Sequence, residues 1–309
     1  MGREADADHF RGFVAYDLAG GGPDGLLDLL VLAEPAAGAL DWRLIAFVGH
    51  DGPGFYEVVK RGEGTGLDAA FAGSGGAVAW LATGSTPRGP LIALGAGDRA
   101  ALYVDPTEVA AWQQEPIQPL ERRTLSGLAF VPGAGGHALF SGPGGARLGA
   151  PGGADFEVRE APEVPAGPVA PAVVGGQAGV LVAAGRDLVF GRVLPDGRLG
   201  GRRAAAALPA GTFTLLAAGQ VGGAPAVDAV AVDATPGAGR LVVALDLACG
   251  DAETLAVGQV IEAALPDDLG PVGVVTGAFS GAGPEILLYN PAGRMVRWRV
   301  DDGALVGVP

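Results

Sequence analysis

One pattern recurs six times along the 309-residue chain: an apolar strand, a Gly-rich turn and a second apolar strand. The clearest copy is VVTGAFSGAGPEILLYN at residues 274–290. The turns of the six copies fall near residues 21, 75, 135, 176, 222 and 281. Successive turns are about 40 to 60 residues apart, which accommodates four short strands per unit. We therefore expect a repeat protein built from short strands.

Four short strands per unit, repeated around an axis, are typical of a β-propeller. We expect an all-β fold with a single propeller domain at residues 1–309, most simply with six blades; a seventh would lie in the long second or fifth unit. We further expect the N-terminal segment HFRGFVAYDL to join the blade that contains RMVRWRV, because this closure removes exposed sheet edges. The approximate blades are residues 9–66, 67–124, 125–168, 169–213, 214–270 and 271–309.

The composition agrees with a turn-rich β protein. The chain has 55 Gly and 24 Pro, and only 17% of its residues are charged, which is too few for a solvated disordered chain. With a repeat period, such a composition indicates many short strands joined by tight turns. The exception is DPTEVAAWQQ at residues 105–114, where Asp-Pro precedes a short amphipathic stretch. This pattern predicts a helix of about one or two turns within the second blade.

The formal net charge of −14 limits the partners that the chain can have. Lys60 is the single lysine, and the arginines form no basic stripe. Nucleic acid is therefore not an expected partner, because phosphate binding needs clustered positive charge. An anionic membrane surface is disfavoured for the same reason. The acidity itself indicates a soluble protein.

The sequence indicates a cytoplasmic protein without a membrane span. Cys249 is the single cysteine, so no intrachain disulfide can form, which fits a reducing compartment. The N-terminal MGREADADHFRGF lacks the apolar core of a secretory signal. No apolar run approaches the ~18 residues that a membrane span needs. No His pair has zinc-ligand spacing, and no cofactor is indicated. The oligomeric state is left open.

The repeats resemble those of the FG-GAP or VCBS family, as found in integrin-like propellers. The strongest match keeps the Gly-x-Phe opening at Gly277 to Phe279, the EILLY strand and the following strand with Trp298. The next best is YDLAGGGPDGLLDLLVL at Tyr16 to Leu32. The resemblance implies a propeller used mostly as a recognition surface, although some members are lectins or enzymes.

The chain departs from this family in its turns. The family's loop often carries D-x-D-x-D-G, whose carboxylates bind calcium, an ion that needs six to eight oxygen ligands. The corresponding loops here read GGGPDG, GSGG, GAGG, GGQAG, GQVGGAP and FSGAGPE. Because these loops offer almost only backbone carbonyls, we expect no metal in them.

Aligning the strands that follow the Gly-rich turns places ionisable residues in one column. Its polar members are Asp28, His137, Asp228 and Glu285, and Ala77 and Gly179 complete it. In a propeller, equivalent positions form a ring about the axis. Such a ring could bind a divalent cation or a ligand, or supply acid and base groups. The alternative is that each acid hydrogen-bonds its own turn, as Asp side chains readily do.

Three functions remain open on the sequence alone. The chain has no nucleophile elbow, no P-loop lysine, and no Gly-rich motif in the βαβ context of a dinucleotide site. We therefore favour a non-catalytic binding module that recognises a protein or small-molecule ligand on one face of the ring. The first alternative is an intracellular enzyme of the lyase, cyclase or isomerase type with an axial pocket. The second is a lectin, which the scattered aromatic residues do not favour.

Overall fold

The chain divides into two compact units, Met1–Leu125 and Ser126–Pro309, in a computed structural model. The structure describes twenty-five strands, β1 to β25. Beyond the strands it describes residues 131, 137, 164–194, 198–250, 254–271, 273–279, 283–290, 292 and 294–308.

The first unit contains two antiparallel sheets of four strands, each paired in chain order. Sheet 1 consists of β1 (His9–Tyr16), β2 (Asp28–Glu34), β3 (Arg43–Gly49) and β4 (Phe55–Arg61). Sheet 2 consists of β5 (Ala79–Thr86), β6 (Gly89–Ala96), β7 (Arg99–Val104) and β8 (Gln118–Glu121). The first strands of the two sheets, β1 and β5, are in contact.

The second unit contains four more antiparallel sheets, paired in chain order except in sheet 5, whose last strand pairs with its third. Sheet 3 consists of β9 (Gly127–Phe130), β10 (Ala138–Gly142), β11 (Gly145–Pro151) and β12 (Phe156–Ala161). Sheet 4 consists of β13 (Val169–Val174), β14 (Gln177–Ala184), β15 (Asp187–Val193) and β16 (Leu199–Ala205). Sheet 5 consists of β17 (Leu215–Gly219), β18 (Val227–Asp233), β19 (Arg240–Cys249), β20 (Leu255–Ala256) and β21 (Gln259–Ala264). Sheet 6 consists of β22 (Gly273–Gly277), β23 (Glu285–Tyr289), β24 (Met295–Asp301) and β25 (Ala304–Val308).

The all-β prediction is confirmed, since the described residues form strands, turns and bends and include no helix. In this part of the chain there is accordingly no helix that is long and apolar enough to cross a membrane. The helix predicted at residues 105–114 lies outside the described residues. The single domain and its blade boundaries stay a prediction.

The expected sharing of the N-terminal strand with the last sheet is wrong. β1 pairs along its length with β2, from His9 opposite Glu34 to Tyr16 opposite Asp28. Sheet 6 meanwhile obtains all four of its strands from consecutive hairpins. Its last hairpin closes through Asp302 and Gly303, which both have positive φ (48° and 74°). This local turn supplies the fourth strand, so sheet 6 needs none from the N-terminus.

The first strands of neighbouring sheets in the second unit approach closely: β9 contacts β13, β13 contacts β17, and β17 contacts β22. Glycines permit this approach. A Cβ at Gly127 would lie 2.6 Å from the backbone nitrogen of Val169, and one at Gly219 would overlap the side chain of Thr276. The Thr276 hydroxyl also donates a hydrogen bond to the carbonyl of Ala218 at 3.1 Å. Gly127 at the start of β9 and Gly219 at the end of β17 therefore have a packing role.

Sheet 4 is buried on both of its faces. Successive residues of a strand point to opposite faces. In β14, Val180 packs in a cluster with Leu139 of sheet 3, whereas Leu181 packs in a second cluster with Val242 of sheet 5. This two-sided burial explains why the strand is a continuous apolar run and not an alternating one.

Candidate functional site

The structure places three of the four predicted site residues at the same point of their sheets. Asp28, Asp228 and Glu285 each pair with the last residue of the preceding first strand, namely Tyr16, Gly219 and Gly277. Each acid therefore stands where the chain re-enters the sheet after a Gly-rich loop. The side chain of Asp28 lies outside the described residues.

His137 occupies the matching place in sheet 3, directly before β10. Its carbonyl accepts a hydrogen bond from the backbone N–H of Val131 at 2.8 Å, which closes the loop between β9 and β10. Sheet 4 differs from the alignment, because β14 begins at Gln177 and not at Gly179. Gly175 and Gly176, with φ of 56° and 75°, form a two-residue turn, so no long loop remains for an acid to hold.

Asp228 is buried, with 1% of its surface exposed, and its carboxylate is held by backbone N–H groups. Oδ2 accepts hydrogen bonds from the N–H groups of Val221 and Gly222, both at 2.7 Å. Oδ1 accepts a third from the N–H of Asp246 at 2.8 Å. A carboxylate has about four acceptor positions. Three of them are therefore used to hold the loop at residues 220–226 and the neighbouring strand β19.

Glu285 has a different partner. It is equally buried, and its Oε2 lies 3.8 Å from Nη1 of Arg297, which is on β24. Arg297 pairs with Leu287, two residues beyond Glu285 on β23, so the two charged side chains are on the same face of sheet 6. The glutamate is thus compensated within its own sheet.

The predicted ring of ligands does not gather into a metal site in the part of the chain that the structure describes. Among those residues, no three His, Cys, Asp or Glu side chains are grouped closely enough to hold a metal ion. His137, Asp228 and Glu285 belong to that described part. Their common place at the loop–strand junction is a shared position within the sheets, and whether they form a ligand site stays a prediction.

Asp233, which lies outside the predicted column of acids, is the centre of a second polar network. Burial raises the pKa of this carboxyl, but hydrogen bonds from Thr235, Thr212 and Arg240 outweigh it and bring the pKa below its ordinary value of 3.8. The Thr235 N–H and the Thr212 N–H donate at 3.1 and 3.3 Å. A signal for this network is present in the sequence, because an Asp two residues before a Thr is typical of a side-chain-capped turn.

Arg240 extends this network across sheet 5. Its Nη2 lies 3.5 Å from Asp233 Oδ2 and donates to the carbonyl of Ala210, and its Nη1 lies 3.6 Å from Glu262 Oε2. Arg240 is on β19, and its partners lie on β18, on β21 and in the segment before β17. The network therefore joins these parts of sheet 5, and each of its three charged side chains is paired with another.

The described residues also form an open cleft between sheets 4 and 5, with a volume of about 350 Å³. Its lining residues are small or apolar, with one amide side chain: Ala205, Ala206, Ala207, Leu255, Val257, Gly258, Gln259 and Val260. The sequence does not predict this cleft, because its two walls come from separate repeats. Its local signal is the run of four alanines at residues 204–207, which begins at the end of β16.

Comparison with known proteins gives information about the fold of the chain and none about its candidate site. No family model matches the chain, and no curated protein matches it. The chain is similar to a solved structure from Desulfotomaculum acetoxidans described as functionally unknown, with a TM-score of 0.56 and 12% identity over 96% of this chain and 84% of that one. This likeness shows the fold alone.

A second solved structure with some likeness is the major Malassezia sympodialis allergen Mala s 1. The TM-score is 0.43 and the identity is 13%, over 74% of this chain and 72% of that one. A likeness at this TM-score carries no argument about the protein.

Proposed function

We propose that the chain is a six-bladed β-propeller that acts as a non-catalytic binding module and recognises a protein or small ligand on one face. The support for the propeller is the run of six antiparallel sheets in chain order, each with at least four strands. In each unit the first strands of successive sheets are in contact, as they would be around a propeller axis. The resemblance of the repeats to the FG-GAP or VCBS family agrees with this proposal.

The observation that carries the non-catalytic proposal is the hydrogen bonding of Asp228. A general base needs a lone pair that can reach a substrate proton. The Asp228 carboxylate is buried and accepts three backbone N–H groups, so its oxygens hold the loop in place. This geometry agrees with the alternative that each acid of the aligned column hydrogen-bonds its own turn. At Asp228, the column therefore has no free catalytic group.

A thermal-shift titration tests the metal and catalytic alternatives. Wild type, His137→Ala and Asp228→Asn are titrated with Mg²⁺, Ca²⁺, Mn²⁺ and Zn²⁺ and then with EDTA. Because a ligand that binds the folded state raises the unfolding midpoint, the proposal expects no metal-dependent rise in wild type. A rise that both substitutions abolish would instead favour a metal-dependent enzyme.

The binding function is tested with a panel of three probe classes: capped neutral peptides, capped charged peptides and monosaccharides. We expect one class to raise the unfolding midpoint and to be recovered chemically unchanged after prolonged incubation. Consumption of the probe would overturn the non-catalytic proposal. Binding of monosaccharides at several equivalent sites would favour a lectin. Failure of every class at about 1 mM, where even weak complexes form, would overturn the binding module itself.

A further inference from the structure

The hairpin formed by β15 and β16 in sheet 4 concentrates positive charge in an acidic protein. The whole chain has 34 acidic and 20 basic residues. Within residues 192–203, however, Asp196 is the single acid and four residues are arginines: Arg192, Arg198, Arg202 and Arg203. At physiological ionic strength, charges are screened beyond about 8 Å. Acids in distant parts of the chain therefore weaken the positive potential of this hairpin only a little.

A bulge in β16 places two of these arginines on the same face of the sheet. The register between β15 and β16 shifts beside Gly201, which has a φ of 60°, as the glycine of a bulge often does. Arg203 pairs with Phe190, and Arg192 follows Phe190 by two residues on β15. Both arginines are therefore on the face of Phe190, which belongs to the apolar cluster between sheets 4 and 5. Arg202 is on the opposite face, which packs against sheet 3.

The guanidinium groups of Arg192 and Arg203 both lie beside Gly201. Nη1 of Arg203 donates hydrogen bonds to Oε1 of Gln177 at 3.2 Å and to the carbonyl of Gly201 at 3.4 Å. A Cβ at Gly201 would lie 3.1 Å from Nε of Arg192, so the glycine leaves room for this side chain. Two positive charges held beside one backbone residue repel each other, and an anion that contacts both removes the repulsion.

Arg192 is exposed, and no ion pair of the described residues involves it. The arginines of sheets 5 and 6 behave differently, because all four in residues 214–309 are paired with a carboxylate: Arg240, Arg294, Arg297 and Arg299. Acids outnumber bases in this chain, so an arginine that stays unpaired among the described residues is an exception. Its guanidinium group can contact an anion from outside the chain.

We propose that Arg192 and Arg203 form a site for a phosphate group, either as free phosphate or as the monoester of a small molecule. The site is an addition to the proposed binding module and does not depend on it. The planar fork of a guanidinium group matches two phosphate oxygens. A phosphate monoester carries a charge of about −1.5 to −2 at neutral pH, which two arginines balance. The positive charge is confined to one hairpin, so it suits a single anionic group and not a nucleic-acid backbone.

The experiment titrates the full chain with inorganic phosphate and, separately, with methyl phosphate, while chloride keeps the ionic strength constant. Affinity is measured from the width of the ligand's ³¹P NMR signal and from the rise in the unfolding midpoint. The site variants are Arg192→Gln and Arg203→Gln. Two control variants remove the same charge elsewhere in sheet 4. Arg202→Gln removes it from the opposite face, and Arg186→Gln removes it from an exposed position before β15.

We expect wild type and both control variants to bind phosphate alike, and each site variant to bind it at least about tenfold more weakly, because each loses charge-assisted hydrogen bonds. Equal losses in the site and control variants would reveal a general attraction to positive charge and would overturn the assignment of the site. The absence of binding to wild type at about 10 mM of either ligand would overturn the inference.

The two ligands distinguish the source of the phosphate group. Tighter binding of methyl phosphate supports the site and identifies a monoester as its ligand, whereas tighter binding of inorganic phosphate supports the site and identifies the free ion. Because neither ligand belongs to the peptide and monosaccharide classes that test the proposed function, a failure of this inference is distinguishable from a failure of that function.

Discussion

The carboxylate of Asp228 on β18 accepts a hydrogen bond from the backbone N–H of Asp246 on β19 at 2.8 Å. Asp246 has a φ of 56°, and the register between the two strands shifts at this point, between Val227 and Ala229. The bulge in the third strand of sheet 5 is thus held by the same side chain that holds the loop before the second strand. One buried acid orders two parts of the sheet that lie far apart along the chain.

Replacing Asp228 with Ala should destabilise the protein severely. The substitution leaves three backbone N–H groups without their acceptor, two of them in the Gly-rich loop. We expect a fall of about 3 kcal/mol in the free energy of unfolding, measured by chemical denaturation. The control is Asp187→Ala, which changes an exposed acid of sheet 4. Losses of equal size in the two variants would contradict the loop-holding role.

The contribution of Asp233 to stability should depend on pH with a definite sign. Its pKa in the folded state is lowered by the Thr235, Thr212 and Arg240 hydrogen bonds, which outweigh the effect of burial. The stability that it contributes is therefore fully present above its ordinary pKa of 3.8 and is lost as the pH falls through the lower folded-state pKa.

Denaturation of wild type and Asp233→Asn between pH 7 and pH 2 measures this contribution. The difference between the two free energies of unfolding should be constant near neutral pH and should shrink as the solution becomes more acidic than about pH 4. Asp187→Asn, at an exposed position, serves as the control. If the stability difference between wild type and Asp233→Asn grew toward low pH, the pKa of Asp233 in the folded state would be raised and not lowered.

Gly219→Ala should disturb the contact between sheets 5 and 6. The added Cβ overlaps the side chain of Thr276, so the two first strands must separate or the threonine must move. We expect a loss of about 1–3 kcal/mol in the free energy of unfolding. Gly307→Ala is the matched control, because a Cβ at Gly307 on β25 meets no atom within 4 Å.

The double variant Gly219→Ala with Thr276→Ala tests the cause of that loss. If the overlap with the threonine side chain is responsible, the double variant should lose less stability than the sum of the two single losses. Additive losses would mean that the glycine acts through its backbone and not through the close approach of the sheets.

Trp298→Phe should change stability little, although the side chain is large. The indole Nε1 is buried and has no hydrogen-bond partner in the part of the chain that the structure describes. Phenylalanine removes this unpaired donor and keeps most of the apolar contact, so the two effects oppose each other. We expect the free energy of unfolding to change by less than about 1 kcal/mol, against about 3 kcal/mol for Trp298→Ala. A loss above about 2 kcal/mol for Phe would indicate that the indole N–H has an acceptor.

The local features of the repeats can be predicted from the sequence. Strand formation follows from apolar runs and turns follow from glycine pairs, so the starts of β14, β18 and β23 are predicted to within one or two residues. The alignment of the repeats also places Asp28, Asp228 and Glu285 at equivalent junctions. It fails at Gly179, because the two-residue turn at Gly175 and Gly176 is shorter than the other loops.

The sequence by itself determined the all-β class and the position of each acid beside a Gly-rich turn, because alternation, glycine and turn chemistry act over a few residues. Only the tertiary structure decided which groups hydrogen-bond to Asp228 and where a surface cleft forms. The partner of Asp228 lies eighteen residues away at Asp246, and the cleft forms where Ala204 meets Thr254 from another repeat. Such contacts depend on how whole sheets pack, and packing is set by many weak apolar contacts acting together, which no short stretch of sequence contains.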